Sequence, residues 1–356
     1  MLETVALTTI SFLGMLVVLV FAHEFGHFIT AKLAHVKVEE FGIGFPPRLL
    51  SFKRGETTYS LNAIPLGGFT KMLGEEDPTL PGSLASKSIP IRLLVLSAGS
   101  LMNILLPILL FSISFMIPHN VTLEKVQVQE VALASPAQIA GIESGDTILA
   151  INDRTIKNRA DVGYLVQLNL GREMKILLQK GELGQHEVSV MPRWNPPEGQ
   201  GAIGITIMGV DSTLVRESYP IWKTIPSSIT HCWEILILFR NEVIGWFVRG
   251  TAPQLAGPIG IAGLTGEVAK AGLSPFLKLA ALISINLAII NLFPFPGLDG
   301  GRLIFVVLEW IRRGKRISPK REGLVHLIGL IVLILLIVVV SYYDITRIIQ
   351  GENLLP

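Results

Sequence analysis

The sequence predicts a polytopic α-helical membrane protein with four transmembrane helices, a membrane-associated β-hairpin and an inserted α+β domain. Three observations carry that reading. Asp, Glu, Lys and Arg make only 16% of the 356 residues, against about 25% in an average soluble protein. Half the chain is apolar and the mean hydropathy is +0.54, so much of the surface must face something other than water. The shortage of charge is also uneven, with chargeless runs alternating with stretches of ordinary polarity. A soluble enzyme is disfavoured on these grounds. With 30 basic and 28 acidic residues the net charge is +2, too balanced for a nucleic-acid footprint. The single cysteine, Cys232, allows no internal disulfide.

Crossing about 30 Å of hydrocarbon takes about 20 apolar residues. Val5 to Ala22 is uncharged and runs straight into His23, giving a first helix over 1–34. It lacks a basic leader and a small-residue cleavage pattern, so it reads as a retained span rather than a signal peptide. Residues 35–91 follow, with Val36–Pro47, Leu49–Phe52 and Thr57–Asn62 as short strands around the turn Lys53-Arg-Gly-Glu56. An isolated hairpin is marginal in water, so this one is expected to lean on the membrane region. The second span, 92–118, has no charge between Arg92 and Glu124.

From Val121 to about Pro192 the periodicity becomes that of short strands broken by turn signals. Ala134-Ser-Pro-Ala-Gln-Ile-Ala-Gly141 reads as a short helix capped by Ser135, with Pro136 at its first position. A strand over Thr147–Ile151, a helix from Asp161, and strands over Lys175–Gln179 and Glu187–Met191 complete a domain at 119–193. Residues 194–275 form a linker. Within it, 215–247 is too interrupted by charge to span, and it suits an amphipathic helix lying at the interface with Trp222, Trp233 and Trp246. The third span, 276–301, closes in Asn291-Leu-Phe-Pro-Phe-Pro-Gly-Leu-Asp-Gly-Gly301. A basic loop, 302–322, leads to the plainest span, Gly323–Tyr343, within 323–356.

Lys and Arg concentrate between spans one and two and between spans three and four. The positive-inside rule therefore puts those loops in the cytoplasm, with both termini and the 119–275 segment outside. A lipid bilayer is the expected setting.

The chemistry stands at the ends of spans. His23-Glu24-Phe25-Gly26-His27 is an H-E-x-x-H motif. On a helix its two imidazoles share one face and can hold one Zn²⁺, with Glu24 beside them as general base. Ionisable groups at membrane depth are costly and usually functional. A catalytic zinc takes three protein ligands and leaves a position for water. The best-placed third ligand is Asp299, where prolines break a helix and glycines admit close backbone. The bland alternatives are a polar helix end at the headgroups and an Asp that merely caps the next helix. His35, His119, His186, His231 and His326 read as satisfied or surface histidines, and Met72, Met102 and Met116 as packing.

These two motifs together resemble the site-2 protease family of intramembrane zinc metalloproteases, most of all its regulator-of-sigma-E protease branch. The likeness extends to Gly67-Gly-Phe-Thr-Lys-Met72, to Gly257-Pro-Ile-Gly260, and to Ser135–Asn152, which resembles a PDZ domain. It implies a zinc metalloendopeptidase with His23, His27 and Asp299 as metal ligands and Glu24 as catalytic base. Asn286, Asn291, Pro294 and Pro296 become substrate-positioning residues. It also implies residence in the bacterial cytoplasmic membrane, with the active site near the cytoplasmic face. The implied partners are single-span membrane proteins, such as anti-sigma factors or remnant signal peptides, and a peptide ligand for the PDZ-like domain. A strand edge at Val36–Phe41 or Thr57–Asn62 would hold such a substrate extended. Two departures stand out. Ala98-Gly-Ser100 lacks the Pro that commonly follows that Gly, and the chain has room for about one PDZ-like domain where enterobacterial members carry two. The competing readings are a non-catalytic anchor displaying a PDZ-like domain and, less well supported for want of an internal repeat, a transporter.

Overall fold

The computed structural model describes residues 2–75, 77–181, 184–251 and 256–350, with Leu2, Thr4 and Leu66 as backbone only. The elements in order are α1 (Leu2–Leu33), β1 (Val38–Arg54), β2 (Thr57–Met72), α2 (Ile89–Met116), β3 (His119–Val131), α3 (Pro136–Ile139), β4 (Thr147–Ile151) and β5 (Arg154–Thr155). Then come α4 (Arg159–Leu168), β6 (Met174–Gln179), β7 (Gln185–Val190), β8 (Ile205–Glu217), α5 (Ile221–Arg249), α6 (Pro258–Ala271), α7 (Leu273–Leu292), α8 (Asp299–Ile311) and α9 (Pro319–Gln350). They form two compact units: Met1–Ser114 with Gln254–Pro356, and Phe115–Pro253.

Within the first unit, four of the described helices are long and apolar enough to cross a membrane: α1, α2, α7 and α9. The third differs from the sequence expectation. It begins at Leu273 and stops at Leu292, short of Asp299. The cause is local: Phe293 precedes Pro294 and is extended at φ −63°, ψ 139°, the conformation a following proline imposes. Asp299 therefore does not end the third span but opens a separate helix, α8. That helix occupies much of the expected basic loop 302–322. It forms because Val306 packs into a core with Ala31, Val36, Val38, Leu84 and Val95. Its buried Glu309 accepts from Arg92 at 2.6 Å and from Arg316 at 2.9 Å. A short helix, α6, falls in the stretch read as linker. Its N-terminal amides at Gly257 and Gly260 donate to Asp344 of α9 at 3.1 and 2.8 Å, a favourable place for a buried carboxylate.

The expected hairpin is more elaborate than two strands side by side. Both strands are long and bent, so Val38–Ile43 pairs on two sides: Phe41 faces Tyr59 across one ladder and Thr70 across the other. Residues 57–62 pair in turn with 48–54, as Ser60 does with Ser51. The four segments thus lie in the order 48–54, 57–62, 38–43, 68–72. This corrects the expected substrate edge, because Val36–Phe41 and Thr57–Asn62 are largely interior with their backbone groups already paired. Among the described residues the outer edges of this sheet are 48–54 and Gly68–Met72, the latter with its Met72 N–H already donating to Glu75 at 3.2 Å.

The second unit is built on an antiparallel sheet in the order β7-β6-β4-β3-β8, with β5 on β4. Val126, Val128, Ile148, Ile151, Ile176 and Leu178 alternate into its core. Ser135 caps α3 by accepting from Gln138 N at 3.1 Å. The sheet runs past residue 193, the boundary read from the sequence, because β8 pairs with β3 from Ile205–Val131 to Glu217–His119. The expected interfacial stretch is α5. One face of it packs on α4, where Tyr164 donates to Glu234 at 2.8 Å and Asn241 Nδ2 donates to the Gln167 carbonyl at 2.7 Å. Trp222, Ile225, Ile229 and Trp233 are exposed on α5.

Candidate active site

α1 continues unbroken through the H-E-x-x-H motif to Leu33, so His23 and His27 stand one turn apart on one face. Asp299, 272 residues beyond His27, completes a cluster with them. Its Oδ2 lies 3.0 Å from His23 Nε2 and 3.1 Å from His27 Nε2, and the two Nε2 atoms are 3.3 Å apart. Ligands about 2.0–2.2 Å from a tetrahedral zinc lie about 3.3–3.5 Å from one another, so the three donors need move only a few tenths of an ångström to hold the ion. Two imidazoles and one carboxylate are also the right chemistry for a catalytic zinc. This is the only such group of His, Cys, Asp or Glu among the described residues.

The surroundings aim these donors. His27 Nδ1–H donates to the Val95 carbonyl at 2.8 Å, leaving Nε2 with its lone pair toward the cluster. His23 Nδ1 faces the Asn103 side-chain amide at 3.4 Å, and Asn103 Oδ1 is buried with no hydrogen-bond partner. An amide turned to present Oδ1 would accept from His23 Nδ1–H, satisfying both groups and freeing Nε2. Glycine makes the crossing of α1 and α2 possible. A Cβ at Gly99 would collide with His27 Nε2, and one at Gly26 would collide with the Ala98 carbonyl. At position 100, where the family commonly has Pro, α2 continues unbroken through Ser100.

Asp299 is brought in by the broken segment before α8. Gly297 takes φ +98°, and its N–H donates to His326 Nδ1 of α9 at 3.0 Å. Side chains at Gly300 or Gly301 would strike the carbonyls of Phe293 and Phe295. Pro294 is exposed and Pro296 half-buried, and their clearest effect is to end α7. Asn286 and Asn291 are half-buried on α7. They are not brought into the wall of the cavity beside the cluster, and neither side chain has a hydrogen-bond partner among the described residues.

That cavity measures about 350 Å³ and is lined by Glu24, His27, Asp299, Arg302 and the strand edge Gly68–Met72. Glu24 projects into it and accepts from the Thr70 hydroxyl at 2.8 Å. Arg302 is tied across to Glu75 at 2.6 Å. Sequence reasoning assigns no role to Thr70, Gly99 or His326: the first two stand only within the family-like stretches Gly67–Met72 and Ala98–Ser100, and His326 reads as a satisfied or surface histidine.

Residues 11–336 match the family described as Peptidase family M50. The chain belongs to this family. M50 membership makes it a zinc metalloprotease of the site-2 protease type, and zinc its expected metal. A Clostridium acetobutylicum protein bearing the name zinc metalloprotease is 35% identical over 329 residues, covering 92% of this chain and 94% of its own. Zinc metalloprotease RasP of Oceanobacillus iheyensis is 30% identical, over 96% of this chain and 99% of its own. RasP of Geobacillus kaustophilus is 28% identical, over 98% and 99%. With its four long apolar helices, this M50 member is a multi-pass membrane protein, and a non-catalytic anchor is not favoured.

Proposed function

We propose that this protein cleaves a peptide bond within or near the transmembrane helix of single-span membrane proteins, as a step in regulated intramembrane proteolysis. In this reading His23, His27 and Asp299 hold the zinc and Glu24 is the general base. The observation that carries it is the His23, His27 and Asp299 cluster beside a cavity lined by Glu24, His27, Asp299 and a strand edge. Bound zinc supplies a Lewis acid and lowers the pKa of its water toward about 7. Glu24 takes a proton from the attacking water and returns it to the leaving amine nitrogen as the C–N bond breaks.

A membrane helix hides its carbonyls in its own hydrogen bonds and must unwind to be cut, which costs several kcal/mol per unpaired group in lipid. The outer edge Gly68–Lys71, beside Glu24, holds the unwound segment extended by strand addition. Asn286 and Asn291, without hydrogen-bond partners among the described residues, position the remaining substrate amides. Pro294 and Pro296 keep that end of α7 open. The second unit is a PDZ-like domain, and with both termini it lies outside the bacterial cytoplasmic membrane. There it binds a peptide tail or excludes bulky substrates. The likeness to the regulator-of-sigma-E protease branch supports anti-sigma-factor-like proteins or remnant signal peptides as substrates. Cleavage of a single-span test substrate in liposomes checks the proposal. Wild type should cut it, and Glu24→Gln and chelator-treated protein should not. Equal product from wild type and Glu24→Gln sinks it.

A further inference from the structure

We propose that Thr70 is a positioning residue for the reaction, holding the carboxylate of Glu24 in the orientation a general base needs. This rests on the reading of Glu24 as that base. A glutamate on a helix has several rotamers, and ordering it costs side-chain entropy. Among the described residues, the only hydrogen-bond donor to the Glu24 carboxylate is the Thr70 hydroxyl, 2.8 Å from Oε2. No described residue donates to Oε1, and Glu24 lines the cavity. The two oxygens therefore divide the work. Oε2 is anchored, while Oε1 is free to take a proton. Once Oε1 carries that proton, Oε2 can still accept from Thr70, so the anchor persists through the transfer.

Three features make Thr70 suited to the task. It is buried at 9% exposure, so water competes poorly for its hydroxyl. Its backbone is paired with Phe41 in the sheet, and its β-branched side chain has few rotamers to lose. Two residues earlier, Gly68 has no side chain, and a Cβ there would lie 2.9 Å from Glu24 Cγ. The strand edge thus forms a socket in which Gly68 provides room and Thr70 provides the donor. The same hydroxyl is also 3.0 Å from the Glu24 backbone carbonyl. With one proton to give, the hydroxyl has its shorter contact with the carboxylate.

Thr70→Val keeps shape and branching and removes only the donor, while Thr70→Ser restores it. The experiment measures zinc content, kcat and KM for both variants on a single-span test substrate. Glu24→Gln and the Thr70→Val/Glu24→Gln double variant are run alongside. Thr70→Val should lower kcat about 10- to 100-fold, the usual worth of a hydrogen bond to a charged group, with zinc content and KM unchanged. Thr70→Ser should recover most of the loss, and Thr70→Val should add nothing to Glu24→Gln, as expected for residues acting as one unit. A Thr70→Val enzyme with wild-type kcat beside an inactive Glu24→Gln overturns the role of Thr70 alone. So does a loss that Thr70→Ser shares equally, or one that falls on zinc content. An active Glu24→Gln enzyme overturns both the base assignment and this inference.

Discussion

The membrane-spanning unit and the Phe115–Pro253 unit both bury polar side chains, but to different ends. In the first, His27, Thr70 and Asn103 are buried at 5%, 9% and 1% exposure. His27 and Thr70 line one cavity and Asn103 lies against His23, and the glycines between them have no room for a methyl group. In the second, Glu234 and Asn241 are as deeply buried, yet Glu234 is held by Tyr164, His231 and Arg154 and Asn241 by the last carbonyls of α4. Those contacts fasten one helix to its neighbours. There α4 carries Gly163 with open space around it. Polar burial alone thus does not mark a site. Two imidazoles and a carboxylate brought within metal-ligand distance of one another, with backbone pressed close behind them, do.

The largest way to break this contrast is to remove the metal. A chelator should take cleavage to background while leaving hydrogen-exchange protection of the Phe115–Pro253 sheet unchanged. Loss of that protection would mean that the metal also holds the second unit together. Next is Gly99→Ala, whose methyl would push against His27 Nε2. Metal affinity should fall about 10- to 100-fold, as for lost outer-shell support, read by competition with a zinc-binding dye. Gly163→Ala makes the same chemical change in the second unit and should do the reverse. A glycine in a helix interior costs about 0.5–1 kcal/mol relative to alanine, so the variant should unfold at a slightly higher temperature and cleave normally.

The smallest effect concerns Glu234. Burial pushes its carboxyl upward, but hydrogen bonds from His231, Tyr164 and Arg154 and the Arg154 charge outweigh it and hold the pKa at about 2. Because this value lies below the unfolded one, the contribution to stability is complete above about pH 4.5 and is lost as pH falls toward 2. Four of the five tryptophans (Trp194, Trp222, Trp233 and Trp246) lie in this unit, so fluorescence-detected melting reports on it. Between pH 5 and pH 3 the wild type should lose more thermal stability than Glu234→Gln.

Much of the spanning unit is legible in the sequence, because apolar runs and H-E-x-x-H are local signals. What stays hidden depends on tertiary arrangement. Hydropathy carries Asn291–Gly301 as the end of a span, and only the backbone around Phe293 reveals that Asp299 starts a new helix. The alternation in residues 38–72 announces strands, but pairing of Val38–Ile43 on both sides follows from how the two strands bend. Thr70 looks like any strand threonine until β2 lies against α1. In the second unit, the turn residues at Ser135–Gly141 and Asn152-Asp153 fix local structure well. The end of the sheet does not show, because β8 joins by pairing with β3, more than 70 positions earlier.

The central claim is that α1 and α8 jointly make one zinc site. The most direct measurement is zinc per chain in purified wild type, Glu24→Gln, His27→Ala and Asp299→Ala. The account predicts about one ion in the first two and almost none in the last two. Zinc undiminished in Asp299→Ala, or absent from the wild type, would contradict it.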